Sequence, residues 1–118
     1  MEPIYNFKKK SFDRRFKESS YMMEKYPESI CCIIEKSNTC KNLCELKKNK
    51  YIIPKDLTIS QIIYIIRKRI VLDSKMSIFI FINNKIPTSN IKISEIYEEN
   101  KDDDGFLYIK YAGENTFG

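Results

Sequence analysis

Residues 56–70, DLTISQIIYIIRKRI, constrain the architecture of this 118-residue chain more than any other stretch. Thr58 and Gln61 stand at capping-box spacing, and Arg67, Lys68 and Arg69 fall where a helix dipole favours cations. A helix at about 58–69 is therefore expected. Ile59, Ile62, Ile63, Ile66 and Ile70 make the width of one core-facing stripe, which leaves Tyr64 and Ile65 outside it. Just before the helix, KYIIP (50–54) reads as a short strand; Pro54 cannot donate to a ladder, which puts it at a strand end or on a sheet edge. After the helix, the apolar run in SIFIFIN (77–83) reads as a central strand covered on both faces.

The remaining chain supplies further elements of both kinds. Ser11 can cap a basic amphipathic helix over about 12–25, with Phe12, Phe16 and Met23 at helical spacing and Pro27 ending it. SICCIIEK (29–36) is β-branched and reads as a buried strand, and SNTCKNLCELKKN after it reads as a polar connector. NNKIP is a turn, NIKISEIYEEN offers a short helix near 93–98, and DDDG breaks the chain. FLYIKY (106–111) alternates Leu107, Ile109 and Tyr111 against Phe106, Tyr108 and Lys110, and a small polar tail, 112–118, follows. Without repeats or a linker, this order describes one α+β domain, a sheet with helices packed against it.

Composition argues against several functions. The chain has no histidine, so no Ser-His or Cys-His dyad can form and the usual near-neutral acid–base group is missing. Cys31 and Cys32 are neighbours on a strand and point to opposite faces; Cys40 and Cys44 alone fall short of a structural zinc site. No signal peptide or bilayer-length apolar segment is present, so a cytosolic start with free thiols is expected. The net charge of +5 is unevenly spread, with basic residues crowding 8–17, 47–50 and 67–69 and acids collecting at 95–104. That asymmetry suits an acidic partner or an anionic surface, but no RNA-binding aromatic strand signature and no glycine-rich phosphate loop accompany it.

KKNKYIIP raises a choice that its residues leave open. A lysine-flanked edge strand beside a helix with surplus apolar residues can accept an incoming peptide strand, through backbone hydrogen bonds and side-chain pockets. Lysine and proline are equally the ordinary means by which a sheet edge protects itself.

Several stretches taken together resemble one known family. FDRRFKES, KYPESI, CIIEK, KYIIPKDLTISQIIYIIRKRI, IFIFINNKIP, ISEIYEENKDDDGFLYIKY and the terminal GENTFG occur in the order found in the ubiquitin-like autophagy modifiers, the GABARAP and light-chain-three family. The resemblance covers nearly the whole chain and implies a ubiquitin-like β-grasp: a four-stranded mixed sheet, two core helices, and two additional N-terminal helices, the first near 3–9. It divides the chain into an N-terminal helical extension (1–26), a β-grasp core (27–111) and a flexible conjugation tail (112–118). It further implies a non-catalytic modifier, the substrate of an activating and a conjugating enzyme, that is joined through Gly118 to phosphatidylethanolamine and released by a cysteine protease. A chain encoded to Gly118 would need that protease only for release. No cofactor is implied beyond the lipid, and the protein would be a monomer before conjugation.

The family's peptide pockets carry over by position as a further implication of the resemblance. The aromatic residue of a Trp/Phe/Tyr-x-x-Leu/Ile/Val motif would meet Glu18, Met22, Cys31, Ile33, Lys50, Ile52 and Phe106. The aliphatic residue would meet Tyr51, Ile53, Pro54, Leu57, Ile62 and Ile65. Lys48, Lys50 and Arg69 would contact acidic residues of the motif, and residues 50–53 would pair with the bound strand. The chain departs from the family at Cys31, where proline is usual, at Ser29, where a basic residue is common, and at Ile62, where phenylalanine is usual. Its connector 37–49 is also slightly longer. The resemblance implies a cytoplasmic protein that becomes attached to autophagosomal membranes; the isoleucine-, lysine- and asparagine-rich coding bias keeps a parasite's relict-plastid membrane as another destination. The alternative from a different class is an unconjugated β-grasp adaptor that binds microtubules or acidic partners through its basic N-terminal helices.

Overall fold

The computed structural model describes residues 5–41, 43–70 and 76–113. A 3-10 turn, Asn6–Lys9, precedes helix α1, Phe12–Lys25. Strands β1, Ser29–Lys36, and β2, Lys50–Pro54, follow, then helix α2, Ile59–Arg69, strand β3, Ile78–Phe81, helix α3, Ile93–Asn100, and strand β4, Leu107–Gly113. The sheet order is β2-β1-β4-β3, parallel between β1 and β4 and antiparallel elsewhere, so it is a mixed sheet of four strands.

Both long helices start where their caps predict. Ser11 accepts from the Arg14 N–H, and at α2 Thr58 and Gln61 close both halves of a capping box. Ile59, Ile62 and Ile66 of α2 are about 1% exposed, and burying each side chain contributes about 2 kcal/mol. They pack with Ile93, Ile96 and Tyr97 of α3 against one face of the sheet, which presents Ile30, Cys32, Ile34, Leu107, Ile109 and Tyr111. On the opposite face a smaller cluster joins Tyr5, Cys31, Ile33, Phe106 and Tyr108, with Phe7, Met22, Met23 and Ile52 packed against it. Strand alternation thus sends Cys31 and Cys32 to different clusters.

Four expectations need correction. SIFIFIN is not central: β3 lies at the edge of the sheet, with Ile78 and Ile80 buried and Phe79 and Phe81 only half-buried. The central positions belong to β1 and β4, whose pairing buries both faces from Ile30 to Glu35 and from Leu107 to Gly113. Second, β4 runs on through Ala112 and Gly113, which pair with Phe79 and Ile78, so the first residues assigned to the tail belong to the sheet. Third, the connector is not simply polar, because Cys40, Leu43 and Leu46 are buried in the main core. Its path is held by Tyr111, whose hydroxyl donates to the Cys44 carbonyl at 2.7 Å, and by Lys36, whose Nζ donates to the Cys40 carbonyl at 2.7 Å. Finally, the described residues contain three α-helices rather than four, and the described part of the expected first helix, 5–9, carries the 3-10 turn Asn6–Lys9 instead of an α-helix.

The DDDG break is a built turn. Gly105 adopts φ +90°, open to glycine at no steric cost, and a Cβ there would run into the Ser19 hydroxyl. Asp104 beside it is fully buried. Its carboxylate accepts from Arg15 at 2.6 Å, from the Tyr108 hydroxyl and from the Phe106 N–H at 2.9 Å. Helix α1 is thereby fastened to the start of β4.

Candidate functional site

Strand β2 ends the sheet, and among the described residues no further strand lies beyond it. Its pairing with β1 sets Lys50 opposite Ile33, Tyr51 opposite Cys32, Ile52 opposite Cys31 and Ile53 opposite Ile30. Alternation then divides the strand. Ile52 joins the α1-side cluster with Cys31 and Ile33, whereas Tyr51 and Ile53 join the α2-side core.

The residues expected at the aromatic pocket converge on the α1 side. Cys31, Ile33 and Phe106 are fully buried in one cluster, with Met22 of α1 and Ile52 half-buried against it. Glu18 of α1 reaches Lys50 of β2 at 3.0 Å and Lys10 at 3.4 Å, so a charged bridge spans helix and edge strand. Burial would raise the Glu18 carboxyl, but the hydrogen bond and charge of Lys50, with help from Lys10, outweigh it and leave the group below its ordinary value. Glu18 is thus held as a carboxylate. Burial pushes the Cys31 thiol up to about 11, and its Sγ lies 3.2 Å from the Gly105 carbonyl; at that position the sulfur is packing material.

The residues expected at the aliphatic pocket divide differently. Ile53 and Ile62 are 5% and 1% exposed and belong to the core. Tyr51, Leu57 and Ile65 are half-buried and Pro54 is exposed, so these four are the expected residues that keep accessible apolar surface. The Arg69 guanidinium lies 5.5 Å from the centre of the Tyr51 ring and borders that surface with a cation. Lys48 is exposed at the entrance to β2. A hollow of about 520 Å³ between the 82–91 turn and α3 is lined by Ile82, Ile86, Pro87, Ile91 and Ile96, and none of the expected site residues borders it. Gly118 lies outside the described residues.

The basic N-terminal cluster is partly consumed inside the fold. Lys8 pairs with Asp102 at 2.7 Å, Lys10 with Glu18, and Arg15 with Asp104, whereas Lys9, Arg14 and Lys17 remain exposed. Residue patterns alone did not single out Tyr5, Phe7, Glu35 or Asp104 as neighbours of the site. One signal was present: Lys110 shares an alternating row with Phe106 and Tyr108, and a lysine in a covered row requires an anion, which Glu35 supplies at 3.5 Å.

A family model described as "Autophagy protein Atg8 ubiquitin like" matches residues 14–118. The chain belongs to the Atg8 family. Its sequence is similar to autophagy-related protein 8 of Schizosaccharomyces pombe, 49% identical over 108 residues, 92% of this chain and 88% of that one. It is similar as well to autophagy-related protein 8a of Arabidopsis thaliana, 47% identical over 106 residues, 90% of this chain and 86% of that one. The fold is similar to the crystal structure of Trypanosoma brucei ATG8, with a TM-score of 0.91 and 34% identity over 98% of this chain and 99% of that one. The sheet and helices described above are therefore the ubiquitin-like β-grasp of the Atg8 family. Atg8 proteins are autophagy proteins, non-catalytic ubiquitin-like modifiers on which conjugating enzymes act.

Proposed function

We propose that this Atg8 protein is conjugated through Gly118 to phosphatidylethanolamine and then serves as a membrane-bound dock for short aromatic-x-x-aliphatic motifs, in the manner of the GABARAP and light-chain-three modifiers. The observation that carries the docking half is the outer edge of β2, which opens on a separate apolar surface on each side of the sheet. A peptide added there as a strand turns residues i and i+3 to opposite faces, because side chains alternate. Its aromatic residue enters between α1 and β2, over Met22, Ile52 and Phe106. Its aliphatic residue meets Tyr51, Pro54, Leu57 and Ile65. Lys48, Lys50 and Arg69 surround the entrance with positive charge, which favours motifs flanked by acids.

The conjugation half is supported by membership of the Atg8 family and by the presence of Gly118. ATP adenylates the Gly118 carboxylate and releases pyrophosphate; an enzyme thiolate displaces AMP to form a thioester, which passes to the conjugating enzyme's cysteine. The lipid amine then attacks the thioester carbonyl, forming an amide and freeing the thiol. In this chemistry the protein is the passenger. It begins in the cytoplasm and ends on autophagosomal or plastid-type membranes. Among the described residues no helix is long and apolar enough to cross a membrane; in this reading the covalent lipid provides the attachment.

The test is reconstitution with the activating and conjugating enzymes, Mg-ATP and phosphatidylethanolamine liposomes. A mass gain of one lipid less one water is expected for the parent chain and none for Gly118→Ala. Equal lipidation of both chains would refute attachment at Gly118.

A further inference from the structure

Glu35 and Lys110 form an ion pair inside the molecule. They are 5% and 4% exposed, face each other in the parallel register of β1 and β4, and stand 3.5 Å apart. Alternation puts Glu35 in one row with Cys31 and Ile33, and Lys110 in one row with Phe106 and Tyr108, on the side of the sheet that carries the aromatic pocket. The Glu35 carboxylate also accepts two backbone N–H groups, from Asn6 at 2.8 Å and from Phe7 at 3.0 Å. The Lys110 ammonium lies 4.3 Å from the centre of the Tyr5 ring. An apolar couple would fill these two places without the cost of desolvating two charges. What it could not supply is a pair of directed acceptors for the chain that crosses the sheet here.

That chain reaches the pocket. Phe7 packs edge-on against Phe106 with ring centres 5.0 Å apart, and the Lys10 ammonium lies 4.7 Å from the centre of the Phe7 ring while also pairing with Glu18. Phe106 and Glu18 are both pocket residues. We propose that residues 5–10 form a wall of the aromatic pocket, and that Glu35 is a positioning residue for motif recognition, acting through the Asn6 and Phe7 amides to hold Phe7 against Phe106. This rests on the docking function proposed above. It adds a specificity element that lies beyond the edge strand and couples the start of the chain to the peptide site.

The test compares the full chain with Phe7→Ala, Glu35→Gln and the double variant, using amide exchange, methyl spectra and titration with an acidic Trp-x-x-Leu peptide. Glu35→Gln is expected to speed exchange at the Asn6 and Phe7 amides at least tenfold. It should move the Met22, Ile33 and Ile52 methyl signals in the same direction as Phe7→Ala, while Leu57 and Ile65 stay in place. Each single variant should lose at least fivefold in peptide affinity, with the double variant no weaker than Phe7→Ala, because Glu35 acts through Phe7. Unchanged exchange in Glu35→Gln would overturn the tether, and pocket signals and affinity unchanged in Phe7→Ala would overturn the wall. Additive losses in the double variant would reduce Glu35 to general stability. If the parent chain fails to bind the peptide, the docking function falls, while exchange and methyl signals still decide whether the arm holds the pocket.

Discussion

Asp104 shows how much a single side chain organises here. It is fully buried, and its partners come from α1, from the turn it stands in and from β4: Arg15, the Phe106 N–H and the Tyr108 hydroxyl. Asp104→Ala leaves the largely covered Arg15 cation and two further donors without this acceptor. A loss of about 3–5 kcal/mol is expected, read as a lower urea midpoint. In the sequence this aspartate is indistinguishable from Asp102 and Asp103, since only the packing of α1 against the turn decides which of the three goes inside. The cysteines were more legible. Alternation alone predicts that Cys31 and Cys32 leave the strand on opposite faces, and they do, each into a different cluster. Cys31, Cys32 and Cys40 are buried and Cys44 is exposed. With Ellman's reagent at neutral to mildly alkaline pH, one thiol should react quickly and the others only after denaturation; fast labelling of Cys44→Ser would contradict this burial pattern.

At the scale of elements, local signals were legible where the chain satisfies its own backbone. The capping box of α2 is written in Thr58 and Gln61 and needs no distant partner. Thr58→Ala should cost about 1 kcal/mol, visible in thermal or urea unfolding, with peptide binding retained. The stripe argument for α2 held for four of its five residues: Ile59, Ile62, Ile66 and Ile70 are buried and Tyr64 is 57% exposed, whereas Ile63, expected in the stripe, is only half-covered, like Ile65 outside it. Ile65 is therefore the sounder probe of the aliphatic surface. Ile65→Asp should weaken an acidic aromatic-x-x-leucine peptide more than tenfold, about 1.4 kcal/mol, without shifting the unfolding midpoint; equal affinity would remove this surface from the site. Ile53→Asp would instead place a charge in the core and unfold the domain. The β3 stretch misled because an unbroken apolar run marks burial without saying which neighbours supply it. An edge strand with half-buried phenylalanines carries the same letters as a central one.

For the whole molecule, the ionisable groups set the pH range of stability. Glu18 and Asp102 each have a carboxyl that burial would raise but that lysine partners bring below its ordinary value, Lys50 for the first and Lys8 for the second. A depressed value in the fold gives stability that is present above the unfolded value, near 4, and is lost as pH falls through the folded one. At the alkaline end burial pushes Cys31 up to about 11 and Tyr97 and Tyr111 up to about 12, so their contribution is full below the unfolded values of 9.0 and 10.0 and disappears as pH rises through the folded ones. Urea midpoints should be level between about pH 5 and 9 and fall on both sides; a midpoint still rising at pH 11 would contradict the burial of these groups. The sequence by itself determined the α+β class, the order of its main strands and helices, the α2 cap and the family, because periodicity, capping and ordered motifs are local and survive without coordinates. Only the tertiary structure decided that β1 and β4 are central, that the connector puts Cys40, Leu43 and Leu46 into the core, and that Glu35 and Lys110 meet beneath the N-terminal arm. Those outcomes depend on which distant segments share a face, and burial of a charge is worthwhile only where its partner, from elsewhere in the chain, arrives with it.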